Sequence, residues 1–92
     1  MFDLAGKIAV VTGGSRGIGR ATSIALAEAG ALVLVNYRSN EDAAKETLRL
    51  IEEAGGKGEL LGFDVADPDS VDRGIKEAVG RHVRIDILVN NA

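Results

Sequence analysis

Four short runs of apolar residues recur along the chain. They cover residues 8–11, 31–36, 59–63 and 85–89, and each is followed by glycine or polar residues. Because the first two runs are continuous rather than alternating, they are typical of strands that are covered on both faces. Residues 59–63 give a third, weaker strand signal, and residues 85–89 give a fourth. The pattern predicts four strands.

The first two segments between these strands have helical patterns. The first helix is predicted over residues 17–29, with Gly30 as a left-handed C-cap. The second begins after Ser39 or Asn40 and ends at Gly55. The positions expected to face the sheet are Ile18, Ala21, Ala25, Leu26 and Ala29 in the first helix and Ala44, Leu48 and Ile51 in the second.

The third helix has the clearest start signal. Asp67 is a predicted N-cap and Pro68 suits the first helical position, while Gly74 should weaken the helix slightly. Its predicted inner positions are Val71, Ile75, Ala78 and Val79. Strands that alternate with helices predict right-handed crossovers, and therefore an α/β Rossmann-type three-layer fold with a parallel sheet in the order β-α-β-α-β-α-β.

Composition narrows the class of protein. The 92 residues fit one small domain with an aliphatic core, since 46% are hydrophobic and 3% aromatic. The net charge is −3 with both signs interspersed, so neither nucleic acid nor an anionic membrane is an expected partner. The lack of cysteine excludes disulfides, and no targeting signal or membrane-spanning run is readable. A cytoplasmic setting is expected.

The chemistry-bearing segment is residues 12–19, Thr-Gly-Gly-Ser-Arg-Gly-Ile-Gly. It follows a predicted strand and opens a predicted helix, where backbone N–H groups and the positive helix end can hold the pyrophosphate of a dinucleotide. Glycine permits that close approach. A tight loop without a ligand is the alternative, and the absence of Gly-Lys-Ser/Thr disfavours an NTPase.

Three motifs together resemble the short-chain dehydrogenase/reductase family. They are Thr-Gly-x-x-x-Gly-x-Gly at residues 12–19, Asp64-Val65 after the third strand, and Asn-Asn-Ala at residues 90–92. The resemblance covers the whole chain. The residues of the first turn are most similar to those of the family's 3-oxoacyl-[acyl-carrier-protein] reductases. It implies that residues 1–92 form the N-terminal part of a single NAD(P)-binding Rossmann domain.

The resemblance also implies roles for individual residues. Residues 13–18 would wrap the pyrophosphate, Asp64 would accept a hydrogen bond from the adenine amino group, and Asn90 would lie near the adenosine ribose and steady the sheet. The cofactor-binding residues expected on this basis are Gly13, Gly14, Ser15, Arg16, Gly17, Ile18, Gly19, Asn36, Arg38, Asp64, Val65, Asn90 and Ala92. Asp64 could instead only cap its loop, and Asn90 could only hydrogen-bond at the strand end.

The residues after the second strand favour NADP over NAD. An acid there would accept hydrogen bonds from the ribose of NAD and repel a 2′-phosphate. The sequence instead has Asn36 at that position, with Arg38 nearby and Arg16 in the glycine turn. Two guanidinium groups could hold the 2′-phosphate of NADP. The alternative is that Arg38 is only a solvated surface charge.

The resembled family transfers hydride with a serine, a tyrosine and a lysine, the last two in a Tyr-x-x-x-Lys pattern. Here Tyr37 has Glu41 four residues later, so no catalytic residue is assigned to this chain. The parent enzyme is expected to reduce a carbonyl with NADPH, as in 3-oxoacyl thioester reduction in fatty acid biosynthesis, and the 92 residues alone are predicted to be inactive. His82 is predicted to be a surface loop residue, and no metal site is expected.

The fourth strand bears on how the chain could associate with other copies. Its apolar run, residues 85–89, would form an open sheet edge if nothing followed it. We therefore expect a fragment of a larger protein or an engineered piece, and a homo-oligomer that pairs through this edge. A non-catalytic nucleotide-binding or self-associating half-fold is the alternative function.

Overall fold

A computed structural model describes residues 3–91. The strands and helices in chain order are β1 (Ile8–Val11), α1 (Gly17–Glu28), β2 (Leu32–Tyr37), α2 (Glu41–Glu53), β3 (Lys57–Gly62), α3 (Pro68–His82) and β4 (Ile87–Val89). The alternation of strands and helices predicted from the sequence is confirmed. No helix in this range has both the length and the apolarity needed to cross a bilayer.

The four strands form one parallel sheet in the order β3-β2-β1-β4. Val10 of β1 lies opposite Leu34 of β2 on one side and Leu88 of β4 on the other. Because the strands are parallel, their carboxyl ends meet at one edge of the sheet, where ligands bind in open α/β folds. The segments that follow β1, β2, β3 and β4 all begin there.

Side chains from the two faces of the sheet enter separate cores. One core includes Val11 and Val33 together with Ala27 of α1 and Ile51 of α2. The other joins Val10, Leu34 and Leu61 to Ala78 of α3. The helices therefore cover both faces, and the three-layer α/β architecture is confirmed.

The ends of α1 and α2 follow the predicted glycine signals. Gly30 and Gly55 have φ values of 106° and 85°, in the left-handed region that glycine tolerates. After α1, the N–H of Gly30 donates to Ala27 and the N–H of Ala31 to Leu26, which is a Schellman motif. These bonds use the N–H of Ala31, and β2 begins one residue later than predicted.

The buried face of α1 differs from the prediction. Ile18 is 76% exposed and Ala21 is exposed, whereas the fully covered positions are Gly19, Ser23 and Ala27. A Cβ on Gly19 would lie 2.0 Å from the Gly13 carbonyl oxygen, so only glycine permits this packing. Gly19 thus packs against the glycine turn, whereas Ala27, near the other end of the helix, packs beside Gly56.

Helix α3 packs through a glycine. A Cβ on Gly74 would lie 2.4 Å from Cδ2 of Phe63, so Gly74 lets α3 lie directly on that ring. Ala78 is buried as predicted, but Val79 is 41% exposed. The prediction that Val79 lies on the inner face of α3 is therefore wrong.

Strand β4 is shorter than predicted and begins at Ile87. Asp86, just before it, donates its backbone N–H to the Ile8 carbonyl at 2.9 Å. Its carboxylate accepts from the N–H of Ile8 at 2.9 Å and contacts the guanidinium of Arg84. These hydrogen bonds, the one from Ile8 first, hold the pKa of Asp86 below its usual range. At the other edge, β3 is longer than predicted, since Lys57 pairs with Leu32 of β2.

Candidate coenzyme site

The glycine turn lies between β1 and α1, at the carboxyl edge of the sheet. Helix α1 begins at Gly17 after Arg16, whose side chain makes no capping hydrogen bond, and its first turn contains no acid. By contrast, Asn40 caps α2 and Asp67 caps α3 through their side-chain oxygens. The N-terminus of α1 is thus the uncapped one, and its positive dipole end faces outward from the sheet.

Most of the backbone N–H groups of the turn have no partner. The first three N–H groups of a helix have no intrahelical acceptor, which applies here to Gly17, Ile18 and Gly19. No acceptor among residues 3–91 takes their protons, nor those of Ser15 and Arg16. A run of N–H donors at a helix start is suited to bind an anionic group such as a phosphate.

Two glycines make this geometry possible. Gly13 and Gly17 have φ values of 61° and 60°, which side-chain-bearing residues rarely adopt. No heavy atom lies within 4 Å of the position that a Cβ on Gly17 would occupy, so conformation rather than crowding requires glycine there. The approach to Gly17 from outside is open.

Asn36 lies under the turn instead of facing outward. Its side chain is 2% exposed, and its Oδ1 accepts from the N–H of Gly13 at 3.2 Å. Its Nδ2 donates to the carbonyls of Leu61 and Phe63, each at 3.1 Å. The backbone carbonyl of Asn36 accepts from the N–H of Gly14. All polar atoms of this side chain are engaged within the protein, and the residue ties the turn to β2 and β3.

Thr12 and the asparagines after β4 fix the other side of the turn. The Thr12 hydroxyl donates to the Val89 carbonyl at 3.1 Å and accepts from the N–H of Asn91 at 2.8 Å. Asn90 Oδ1 lies 3.4 Å from the same hydroxyl. Asn90 is thus a strand-end hydrogen-bonding residue beside the turn, and Ala92 lies outside the described residues.

Arg38 and Asp64 meet at the ends of neighbouring strands. Arg38 Nε lies 3.5 Å from Asp64 Oδ2, and the two side chains are 76% and 30% exposed. Asp64 also shapes its own loop, since its Oδ1 accepts from the N–H of Ala66 at 2.9 Å. A pair this exposed contributes little to stability, about 0–1 kcal/mol. It does place a guanidinium and a carboxylate side by side at the carboxyl edge.

Val65 and Asn90 line one shallow cavity of about 220 Å³. Its wall is completed by Thr12, Phe63, Val71, Ile75 and Leu88. Arg16 and Ile18 are exposed on the turn itself, and Ser15 is half-buried. A larger cavity of about 370 Å³ lies at the opposite, amino edge of the sheet between Gly6 and Lys57, away from every predicted site residue.

Arg20 is a site residue that sequence reasoning missed. Its guanidinium donates to the Ser15 carbonyl of the turn and to two groups of α2. Its partners lie up to 27 residues away along the chain, so no local pattern pointed to it.

Tyr37 and His82, which the sequence did not assign to the site, have structural roles. Tyr37 ends β2 and packs over Gly62, whose Cβ would lie 3.1 Å from the phenol oxygen. His82 is the last residue of α3 rather than a loop residue, and its 17% exposed side chain contacts Glu59 at 2.9 Å. The prediction of a surface loop is therefore wrong at His82. Within residues 3–91 no three His, Cys, Asp or Glu side chains cluster as metal ligands would.

A parallel sheet with helices on both faces, and a glycine turn between its first strand and first helix, define a Rossmann-type domain. The family model described as short chain dehydrogenase matches residues 7–92. The chain belongs to the short-chain dehydrogenase family, and the resemblance found in its sequence motifs is confirmed.

Relatives with known names support this membership. The short-chain dehydrogenase/reductase homolog YusS of Bacillus subtilis is 44% identical over 91 residues, which are 99% of this chain and 84% of the relative. The 3-oxoacyl-[acyl-carrier-protein] reductase of Synechocystis is 45% identical over 92 residues, which are 100% of this chain and 37% of that enzyme. The chain thus spans most of one relative and little more than a third of the other.

A solved structure shows the same fold. A metagenomic short-chain oxidoreductase in complex with NADP is 39% identical and superposes with a TM-score of 0.91. The match covers 97% of this chain and 40% of that one. The Rossmann-type fold is therefore shared with a family member that binds NADP.

Proposed function

We propose that this chain binds NADP(H) at the glycine turn and forms the coenzyme-binding N-terminal part of a Rossmann domain in a carbonyl reductase. The observation that carries the proposal is the uncapped N-terminus of α1, where the N–H groups of residues 15–19 have no partner among residues 3–91. The pyrophosphate of a dinucleotide would supply their acceptors.

The residues present fit the coenzyme. Gly17 leaves the approach to the helix N-terminus open, and Gly19 lets α1 lie against the turn. Arg16 and Arg38 are exposed on the segments after β1 and β2, two neighbouring strands. In this proposal they hold the 2′-phosphate, while Asp64 and Val65 face the adenine. When bound, NADPH supplies a hydride, and the residues of this chain orient the coenzyme.

Asn36 takes a different role from the one expected. Because its side chain is buried and fully bonded, we assign it to support of the turn instead of contact with ribose. The preference for NADP over NAD then depends on Arg16 and Arg38. The NADP-bound metagenomic relative is consistent with this preference.

For the whole enzyme, the proposed substrate is a 3-oxoacyl thioester carried by an acyl carrier protein. The support is the 45% identity to the Synechocystis 3-oxoacyl-[acyl-carrier-protein] reductase. Since the chain offers no Tyr-x-x-x-Lys pattern, we expect the 92 residues alone to be inactive. The cytoplasmic setting stays a prediction.

Titration calorimetry with NADPH and NADH tests the coenzyme site directly. We expect tighter binding of NADPH, and a loss of this preference in Arg16→Ala and Arg38→Ala with NADH affinity little changed. An unchanged preference in both variants would refute the assignment of the arginines. Binding of neither coenzyme by the wild type would refute the proposed function itself.

A self-associating half-fold is the second candidate, and the exposed edge strand favours it. Leu88 in β4 is 59% exposed, and β4 has no second neighbour among the described strands. An apolar edge of this kind can pair with another copy. Sedimentation should then show a dimer or larger species, and a monodisperse monomer would contradict it.

NADPH oxidation with an acetoacetyl thioester should show no turnover by the chain alone.

A further inference from the structure

The side chain of Arg20 links the glycine turn to the neighbouring helix. Its Nη2 donates to the carbonyl of Ser15 at 2.7 Å and to the carbonyl of Ala43 at 3.0 Å. Its Nε donates to the hydroxyl of Thr47 at 2.9 Å. One guanidinium therefore joins the turn, α1 and α2.

All three partners are neutral, and within residues 3–91 Arg20 forms no ion pair. The charge of Arg20 contributes to lowering the pKa of Glu46, but the hydrogen bond from Arg49 is the larger cause. Thr47 is fully buried. A guanidinium that bonds to carbonyls and a buried hydroxyl has a positioning role, because its rigid, planar set of N–H donors fixes the positions of the groups it contacts.

The bond to Ser15 determines which group of the turn faces outward. In a trans peptide the carbonyl of one residue and the N–H of the next point in opposite directions. Since Arg20 holds the Ser15 carbonyl toward α2, the N–H of Arg16 points away from α2. If this peptide flipped, a carbonyl oxygen would face the ligand where a donor is needed.

We infer that Arg20 is a positioning residue for the pyrophosphate. It fixes the Ser15–Arg16 peptide so that an N–H, and not a carbonyl, is presented to the coenzyme. This inference rests on the proposed coenzyme site. The two phosphates of the pyrophosphate are common to NAD and NADP, so Arg20 supports the affinity for both and not the choice between them.

Arg20→Lys and Arg20→Gln distinguish the hydrogen-bond geometry of Arg20 from its charge. Lysine keeps the positive charge but lacks the planar N–H donors of the guanidinium, and glutamine lacks both. We expect both variants to bind NADPH and NADH about tenfold more weakly, with the ratio of the two affinities unchanged. Arg49→Lys is the matched control, since Arg49 bonds only to exposed acids of its own helix, and it should bind like the wild type. Full affinity in Arg20→Lys would overturn the inference.

Two further measurements keep the inference testable if Arg20 variants unfold or if no coenzyme binds. Thr47→Val removes one partner of the guanidinium at nearly constant volume. It should weaken the binding of NADPH and NADH by the same factor, and by less than Arg20→Lys does. The NMR order parameter of the Arg16 amide should fall in Arg20→Lys and Thr47→Val without any ligand. If the wild type binds neither coenzyme, the proposed function fails, whereas an unchanged Arg16 amide refutes the role of Arg20.

Discussion

Asn36→Asp tests whether residue 36 supports the turn or faces the ribose. The side chain is 2% exposed, and its Nδ2 donates to the carbonyls of Leu61 and Phe63. Aspartate would place a carboxylate oxygen against both carbonyls and bury a charge with no cation beside it. Such a change costs roughly 3–5 kcal/mol. That is a large share of the about 5–14 kcal/mol expected for a domain of this size.

Urea unfolding followed by circular dichroism measures this loss. At pH 7 we expect Asn36→Asp to lower the free energy of unfolding by roughly 3–5 kcal/mol. Ser39→Asp adds the same charge at an exposed position three residues later, and it should change stability by less than about 0.5 kcal/mol.

The deficit should also depend on pH in a defined direction. A protonated carboxyl could again donate to one of the two carbonyls, so the folded state raises the pKa of the introduced group above about 3.9. A raised folded-state pKa gives stability that is present at low pH and lost as the pH rises through that value. The deficit of Asn36→Asp should therefore grow between about pH 4 and pH 7. Wild-type stability at pH 7 with a gain in NADH affinity would refute the supporting role of Asn36.

Three further changes test other parts of the fold. Gly74→Ala should destabilise the protein by about 1–3 kcal/mol, because its Cβ would lie 2.4 Å from the Phe63 ring. Val83→Asn should stabilise it by about 0.5–1 kcal/mol, because the branched residue 83 has φ 73° and is 84% exposed. Burial is the largest single effect on the pKa of Glu59 and acts to raise it, but the hydrogen bonds and charges of His82 and Arg81 together outweigh it and the net pKa is lowered. A lowered pKa gives stability that is lost as pH falls below about 4, and Glu59→Gln should lack this loss.

Matched variants control each of these measurements by urea unfolding. Gly80→Ala, in the same helix but with open space at the Cβ, should be neutral or slightly stabilising, and an equal loss in both alanine variants would contradict the role of Phe63. Val83→Thr keeps the branched Cβ and should give no gain. Glu52→Gln changes an exposed acid of α2, and it should retain the wild-type acid dependence that Glu59→Gln loses.

The order of strands and helices was predictable because each element carries its own local signal. Asp67 with Pro68 begins α3 as predicted, and Gly30 terminates α1. The inward face of α1 was not predictable in the same way. Alanines lie on both the exposed and the buried face of that helix, so apolar spacing did not distinguish the exposed Ala21 from the buried Ala27. The tight contact of Gly19 with Gly13, and the packing of Ala27 beside Gly56, fix the orientation, and neither is encoded in local apolar spacing.

The location of the candidate site followed from glycine spacing, but its internal support did not. The ties between Asn36 and Gly13, and between Arg20 and Thr47, join residues 23 and 27 positions apart. Such pairs depend on how β2 and α2 are placed beside the turn, which no short segment encodes. For the same reason the sequence predicted Arg38 as a 2′-phosphate ligand or a solvated surface charge, and it did not predict the ion pair of Arg38 with Asp64.

The polar groups of the turn form two sets: some are hydrogen-bonded within the protein, and others have no partner among residues 3–91. Asn36 takes the N–H of Gly13 from the β2 side, Thr12 bonds to the segment after β4, and Arg20 takes the Ser15 carbonyl from the α2 side. The N–H groups of residues 15–19 are left without partners among residues 3–91. Because the turn is held from three directions, these donors stay in place without a ligand, and a pyrophosphate would find them already oriented. Loss of any one tie should therefore weaken coenzyme binding even though none of the three side chains need touch the coenzyme.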